Sequence, residues 1–156
     1  MLLQRLGHTF LFRALGLRLT SVNRWLLRKT QGRWSLAGRS GLPLLLLTTT
    51  GRRSGLPRTR TLLYVQDARS YVVAGVNWGL PQHPDWCLNL ISEPMVTVTI
   101  DGSLFTARAQ LVGGPEWERL WSLLLRVWPA FAVDRHRAVA ARREIPVFRL
   151  ERGHRA

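Results

Sequence analysis

The chain has 156 residues, 46% of them hydrophobic, and a formal net charge of +14 at neutral pH. This length and hydrophobic content predict one folded domain and exclude an intrinsically disordered chain. The sequence has no run of 18 apolar residues, which argues against a membrane-spanning helix. Its single cysteine, Cys87, cannot form an intrachain disulfide and indicates a reducing compartment.

The positive charge is concentrated at the front of the chain. Residues 1–66 hold 12 of the 23 Lys and Arg residues and none of the nine Asp and Glu residues. This asymmetry predicts an anionic partner, for which nucleic acid, anionic lipid and a phosphorylated cofactor are the candidates. Because no nucleic-acid-binding motif accompanies the charge, we expect no nucleic-acid partner.

The first segment, residues 1–35, is predicted to be a basic amphipathic helix, followed by a single domain over residues 36–156. Apolar residues recur at helical spacing through positions 3–22, and basic residues occupy much of the remaining helix surface. Residues 1–29 are therefore expected either to lie on an anionic membrane surface or to pack on their own domain with a solvated basic face. We expect a cytoplasmic protein. If residues 1–29 lie on a membrane surface, we expect the protein to be peripheral on the inner face of the cell membrane.

The rest of the chain alternates strand patterns with three helix patterns. Strands are predicted at residues 44–50, 59–66, 71–75, 95–101, 104–112 and 146–151, and helices at residues 83–92, 113–127 and 132–143. Pro84 suits the first turn of its helix, and Trp128 with Pro129 separates the last two helices. Five to six mostly antiparallel strands with peripheral helices predict an α+β, barrel-like domain.

The arginine turn, residues 51–55, connects the first two predicted strands. It places two arginines and a serine between two glycines, and two further arginines follow at alternate positions of the next strand, on one of its faces. The side chains concerned are those of Arg52, Arg53, Ser54, Arg58 and Arg60. Guanidinium groups and turn N–H groups directed at one small space predict a phosphate or carboxylate site. The alternative interpretation is a solvated hairpin tip.

An aromatic loop, residues 75–86, follows the third predicted strand. It combines Trp78, His83 and Trp86 with glycines that allow a ligand to approach the backbone, and Asn77 adds a polar group. This composition is typical of a site for a flat heteroaromatic ring, and a packed aromatic loop is the alternative.

Other patterns in the sequence indicate no additional chemistry. His83 and Cys87 lie four residues apart on one helix face, but no third ligand accompanies them, so we expect no metal site. A phosphate-binding P-loop and a G-x-G-x-x-G motif are both missing. The tryptophans at positions 117, 121 and 128 recur with helical spacing and are more typical of a core than of a cofactor site.

The order of these motifs resembles the deazaflavin-dependent nitroreductase family. The resemblance covers about residues 40–150 and depends on Leu-Thr-Thr-Thr-Gly-Arg-Arg-Ser-Gly-Leu-Pro-Arg at positions 47–58, His-Pro-Asp-Trp at 83–86 and Ile-Pro-Val at 145–147. Members of this family are small split-β-barrel oxidoreductases of actinobacteria and related organisms. They use coenzyme F-420, an 8-hydroxy-5-deazaflavin with a phospholactyl-oligoglutamate tail.

The resemblance implies a role for each part of the two motifs. The arginine turn would hold the phosphate, the next strand would face the tail, and the aromatic loop would line the deazaflavin ring. The cofactor-binding residues implied in this way are Arg52, Arg53, Ser54, Gly55, Arg58, Arg60, Val76, Asn77, Trp78, Gly79, His83 and Trp86. Tyr64 would be the catalytic proton donor or orienting group, and Tyr64, Trp128 and Phe131 would border the substrate cavity.

The resemblance also implies a reaction. Reduced F-420 would deliver a hydride to a quinone-like, enone or nitroaromatic acceptor, and the hard chemistry would belong to the cofactor. Relatives active on nitroimidazoles often have a Ser-Lys pair where Val76 and Asn77 stand here, so we expect weak nitroreductase activity. The alternative is a non-catalytic protein of the same fold that binds F-420, FMN or haem, with FMN the less favoured cofactor.

Overall fold

A computed structural model describes residues 41–153, which form an α+β domain of seven strands and three helices. The predicted helical segment, residues 1–35, lies outside the described residues. The strands are β1 (Leu44–Thr50), β2 (Pro57–Leu63), β3 (Val65–Asp67), β4 (Ser70–Ala74), β5 (Met95–Ile100), β6 (Ser103–Val112) and β7 (Val147–Arg152). The helices are α1 (Asp85–Ser92), α2 (Gly114–Val127) and α3 (Phe131–Ala140), and a 3-10 turn spans Asn77–Gly79.

All seven strands belong to one antiparallel sheet in the order β2-β1-β5-β6-β7-β4-β3. The two edge strands, β2 and β3, are consecutive in the chain and are separated only by Tyr64, so the chain itself joins the two edges of the curled sheet. The predicted α+β split barrel is confirmed. The predicted count of five to six strands was wrong, because the chain changes its pairing partner from β1 to β4 at Tyr64 and divides the predicted strand 59–66 into two.

The core consists of two hydrophobic clusters, which follow from the alternation of side chains along the strands. One cluster fills the inside of the curled sheet, where Leu45, Leu47 and Phe148 are buried. The other lies between the sheet and the pair α2 and α3, and it includes Leu120 and Trp121 of α2. The helical spacing of residues 117, 120, 121 and 124 creates this apolar face of α2. Within residues 41–153, none of the helices has the length and apolarity that a membrane span requires.

Helix α1 packs at one end of the sheet. Pro84 precedes its first residue, and Trp86, Cys87 and Leu90 contribute to the cluster inside the sheet. The antiparallel register places the β1–β2 turn at this same end, together with the start of β5, because Thr48 of β1 pairs with Thr97 of β5. The fold therefore brings α1 against the turn that carries the arginines.

Candidate functional site

The arginine turn is a tight, internally hydrogen-bonded connection between β1 and β2. The Gly51 N–H donates to the Leu56 carbonyl at 2.8 Å, and the Gly55 N–H donates to the Gly51 carbonyl at 2.7 Å. Gly55 has a φ of +67°, a left-handed conformation that glycine adopts readily. A side chain at Gly51 would meet the Ser54 hydroxyl oxygen at 2.7 Å. Both glycines thus suit the turn, Gly55 through its left-handed backbone and Gly51 through its closeness to Ser54 and the Leu56 carbonyl.

A buried amide from α1 fixes the position of the turn. Asn89 is 3% exposed; its Oδ1 accepts a hydrogen bond from the Arg52 N–H at 3.1 Å, and its Nδ2 donates to the Thr49 hydroxyl at 3.0 Å. The Arg52 side chain also pairs with Asp85 at 3.0 Å. Our site prediction did not include Asn89 or Asp85. The contact of Asn89 with a turn 37 positions away is not encoded in any local pattern.

The arginines of the turn and of β2 surround one open cavity of about 320 Å³, which we call the arginine cavity. Its walls are Gly51, Arg52, Arg53, Ser54, Arg58, Arg60, Asp85, Trp86 and Asn89. Six of the twelve predicted cofactor-binding residues are therefore brought together, and they include Trp86, whose side chain is otherwise buried in the cluster inside the sheet. Four guanidinium groups and an aromatic wall in one cavity are suited to a ligand that is both anionic and partly planar.

One face of β2 continues from the arginine cavity toward Tyr64. Arg60 pairs with Leu47 and Leu62 pairs with Leu45, so alternate side chains of β2 lie on the face that is directed into the curled sheet. With a rise of about 3.3 Å per residue, this face extends roughly 20 Å from Arg58 to Tyr64. Arg58 and Arg60 thus lie on one face of β2, and the predicted catalytic Tyr64 directly follows the end of that strand.

Tyr64 lies in an aromatic environment. Its ring meets that of Tyr71 edge to face, with 5.6 Å between the centroids. Burial raises the pKa of Tyr64 above its usual value of 10.0, and the negative charge of Asp101 raises it further. The phenol consequently keeps its proton at neutral pH and is available as a hydrogen-bond donor.

The first part of the aromatic loop, residues 75–80, adopts an unusual backbone and is called the left-handed segment below. Asn77, Trp78 and Gly79 have φ values of +46°, +56° and +69°. A positive φ is rare for a residue as bulky as tryptophan. Each non-glycine residue in this conformation costs on the order of 1–3 kcal/mol of folding free energy. The Asn77 amide donates to the Gln82 carbonyl at 2.8 Å, and Val76 is buried in the cluster under α2 and α3. The segment therefore stores strain that its surroundings must balance.

Arg143 forms the main polar contact of the left-handed segment. Its guanidinium donates to the carbonyls of Leu80 at 2.7 Å, Gly75 at 2.9 Å and Val76 at 2.5 Å. The residue is only 4% exposed, and burial lowers the pKa of the guanidinium below its ordinary value. Arg143 was missing from the sequence prediction, because an arginine before the last strand is usually a surface residue.

The remaining predicted residues occupy other positions. His83 lines a separate cavity of about 580 Å³ with Cys87 and Trp117, and burial lowers the pKa of His83. Gly55 lies at the edge of the arginine turn and outside the arginine cavity. Trp128 directly follows α2, and Phe131 stacks on Trp121 with 5.9 Å between the ring centroids. The structure therefore does not gather Tyr64, Trp128 and Phe131 into one cluster.

The separate cavity contains no metal-binding arrangement. Burial raises the pKa of the Cys87 thiol well above its usual range, so the thiol is protonated at neutral pH. Within the described residues, no group of three or more His, Cys, Asp or Glu side chains is placed to hold a metal ion.

Comparison with known sequences identifies a family whose sequence model matches most of the chain. The family model described as F420H(2)-dependent quinone reductase matches residues 19–152. An F420H(2)-dependent quinone reductase of Mycobacterium tuberculosis is 32% identical over 117 residues, which is 74% of this chain and 78% of that protein.

Solved structures support the same assignment. An F420-H2 dependent reductase superposes with a TM-score of 0.63 at 32% identity, over 70% of this chain and 94% of that one. The heme storage protein HutZ from Vibrio cholerae superposes with a TM-score of 0.53 at 16% identity, over 75% of this chain and 86% of that one. At this lower identity the second likeness concerns the fold alone.

Proposed function

Because the chain belongs to the F420H(2)-dependent quinone reductase family, we propose that it catalyses hydride transfer from reduced coenzyme F-420 to a quinone. The arginine cavity is the observation that carries this proposal. Arg52, Arg53, Arg58 and Arg60 surround a single open space, and a buried amide orders the turn that bears the first two.

The donor set fits the anionic part of the coenzyme. The tail of F-420 carries a phosphodiester and several carboxylates, and guanidinium forks bind both groups through paired, charge-assisted hydrogen bonds. A metal site would instead require carboxylate or imidazole groups facing the cavity, whereas Asp85, which lines it, is already paired with Arg52. We therefore propose that Arg52, Arg53, Ser54 and Gly55 bind the phosphate and that Arg58 and Arg60 bind the rest of the tail.

The ring of the coenzyme is proposed to lie beyond the arginines, along the inner face of β2. We assign Trp86 to the wall behind the ring and the left-handed segment, through Val76, Asn77, Trp78 and Gly79, to its edge. His83 was predicted to contact the ring as well; since it lines the separate cavity in the described structure, its contact would need the 81–84 connection to shift.

Each protein group in this proposal has a physical task. When bound, reduced F-420 supplies the hydride, and the protein binds and orients the coenzyme and the acceptor. Tyr64 holds a proton on its phenol oxygen, because its pKa is raised, and we propose that it donates a hydrogen bond or a proton to the oxygen of the reduced quinone. Trp128 and Phe131 are proposed to border the acceptor as well; since Phe131 packs on the cluster under α2 and α3, away from Tyr64, this contact would need the segment between α2 and α3 to shift.

The test uses the purified full-length chain with reduced F-420 and the soluble quinone menadione. We expect protein-dependent reoxidation of F-420, followed by its fluorescence, and at least tenfold slower reoxidation for Tyr64→Phe if the phenol donates the proton. Absence of reoxidation with any quinone would overturn the proposed reaction. Tight binding without reoxidation would instead support a non-catalytic F-420-binding protein, and binding of FMN or haem in its place would change the cofactor.

Two finer properties are also proposed. We propose that quinones are reduced faster than nitroaromatic or enone acceptors, since Val76 and Asn77 stand where nitroimidazole-active relatives often have Ser and Lys.

We further propose that residues 1–29 attach the protein to anionic membranes, because they are basic and amphipathic in sequence. Deletion of residues 1–29 should then release the protein from phosphatidylglycerol vesicles, and unchanged vesicle binding would contradict the attachment.

A further inference from the structure

We propose that Arg143 is a positioning residue, whose buried guanidinium holds the left-handed segment in the backbone conformation that hydride transfer requires. This inference rests on the proposed function, in which the segment borders the coenzyme ring. Arg143 is not a wall of the arginine cavity; it lines the separate cavity of about 580 Å³, and its guanidinium contacts the segment through backbone carbonyls.

The hydrogen bonds of Arg143 go to the two ends of the segment. Its Nη atoms donate to the carbonyls of Gly75 and Val76, which precede the left-handed residues, and its Nε donates to the carbonyl of Leu80, which follows them. A planar guanidinium fixes the relative direction of these three carbonyls, because its donors have a rigid fork geometry. One side chain thereby connects the carbonyls at the two ends of the segment.

The left-handed residues need such an external constraint. Asn77 and Trp78 both have positive φ values, a conformation that L residues with side chains avoid. Within the turn, the Gly79 N–H donates to the Val76 carbonyl at 3.0 Å and the Leu80 N–H donates to the Asn77 carbonyl at 2.9 Å. These two bonds close the turn, but they do not anchor it to the rest of the domain.

Close packing restricts the segment further. A side chain at Gly79 would lie 2.6 Å from the Asp134 carbonyl of α3, and one at Gly75 would lie 2.4 Å from the Cys87 sulfur. The Arg143 N–H donates to the Ala138 carbonyl at the end of α3 at 2.8 Å, which anchors the arginine to the same helix. Packing against α3 and the hydrogen bonds of Arg143 therefore both hold the segment and leave it little freedom to relax.

The experiment compares Arg143→Met, Arg143→Lys and the control Arg142→Met in the full-length protein. Arg142 is the adjacent, exposed arginine, so its replacement removes the same charge without the buried contacts. For Arg143→Met we expect the rate of hydride transfer in a single turnover to fall by up to about 100-fold, the loss that a displacement of about 1 Å can cause. The dissociation constant of F-420 should change less than about threefold, since the arginine cavity is intact.

Arg143→Lys should restore part of the lost rate, because an ammonium can donate to these carbonyls but lacks the planar fork. It also keeps the test informative if Arg143→Met fails to fold. Amide hydrogen exchange should show faster exchange at residues 75–80 in both Arg143 variants and unchanged exchange there in Arg142→Met.

The outcomes separate this inference from the proposed function. Failure of the wild-type protein to reoxidise F-420 would refute the proposed reaction, and the exchange measurement would still test whether Arg143 holds the segment. Faster exchange at residues 75–80 with an unchanged hydride-transfer rate would overturn the positioning role. Equal effects of Arg142→Met and Arg143→Met would overturn it as well.

Discussion

The arginine turn and the left-handed segment are each held by one buried polar side chain, but the two side chains differ in charge. Asn89 binds the arginine turn with a neutral amide, whereas Arg143 binds the left-handed segment with a guanidinium. In the first region the arginines surround a cavity, and in the second the arginine is only 4% exposed and donates to three backbone carbonyls. Arginine therefore has two roles in this chain, ligand recognition and backbone support.

This difference has a consequence for stability and binding. A buried guanidinium with three carbonyl partners is part of the folded structure, and its removal leaves those carbonyls without their donor. The exposed guanidiniums of Arg53, Arg58 and Arg60 contribute little to folding, because solvent screens their charges. Variants in the two regions should consequently separate loss of stability from loss of ligand affinity.

The largest effect on stability is expected for Gly79→Ala in the left-handed segment. The new methyl group would lie 2.6 Å from the Asp134 carbonyl. The alanine would also have to adopt the φ of +69° that Gly79 has, which is unfavourable for a residue with a side chain. We expect a loss of about 2–4 kcal/mol in the free energy of unfolding, measured by urea denaturation. Gly55→Ala is the matched control, because its φ is +67° but no atom lies within 4 Å. A loss of only about 1 kcal/mol is expected there, and equal losses would show that packing against α3 is unimportant.

The second prediction concerns the amide that holds the arginine turn. Asn89→Leu leaves the Arg52 N–H and the Thr49 hydroxyl without their buried partner, which should cost about 1–3 kcal/mol. Because the turn loses its anchor, F-420 affinity should also fall about tenfold, measured by fluorescence titration. Ser92→Ala, at the exposed end of the same helix, should change neither quantity. Full F-420 affinity in Asn89→Leu would mean that the turn orders itself.

The third prediction separates recognition from support. Arg53→Ala and Arg58→Ala should each weaken F-420 binding about tenfold, the equivalent of one charge-assisted hydrogen bond, while the free energy of unfolding changes by less than about 0.5 kcal/mol. Arg126→Ala, an exposed arginine on α2 outside the arginine cavity, is the control for net charge. An equal loss of affinity in Arg126→Ala would point to general electrostatic attraction in place of a defined site.

The smallest effect concerns arginines that are partnered by carboxylates. Hydrogen bonds from Arg119 and Arg149 lower the pKa of Glu116 from an ordinary 4.5 to about 2. The pKa of Asp67 is lowered as well, mainly through its hydrogen bond with Arg119. A depressed folded-state pKa means that this stabilisation is present above about pH 4.5 and is lost as the pH falls toward 2.

Replacement of Glu116 tests this pH dependence. Glu116→Gln should flatten the fall of the urea midpoint between about pH 4.5 and 2, and Glu144→Gln, an exposed control, should leave it unchanged. An identical pH profile for wild type and Glu116→Gln would indicate that solvent screens the ion cluster. In that case the Glu116 cluster would contribute little to stability, as expected for the exposed arginines around the arginine cavity and in contrast to Arg143.

Local patterns predicted much of the fold and part of the candidate site. The strand at residues 44–50 was predicted with its observed bounds, and the other strands and helices differed mostly at their ends. Bracketing glycines and alternate arginines predicted the cluster that the arginine cavity gathers. These features depend on periodicity and turn chemistry within a few residues, which the sequence displays directly. That these residues bind F-420 stays a prediction.

Contacts between distant residues were decided by the tertiary structure. Arg143 is 63 to 68 positions from the carbonyls that it binds, and Asn89 is 37 positions from the turn that it anchors. The break at Tyr64 likewise exists because β2 and β3 pair with different strands. The sequence by itself determined which arginines lie in a turn and on a strand face. Only packing decided which arginine is buried as a support, because burial depends on how helices and strands meet and not on the residue's neighbours in the chain.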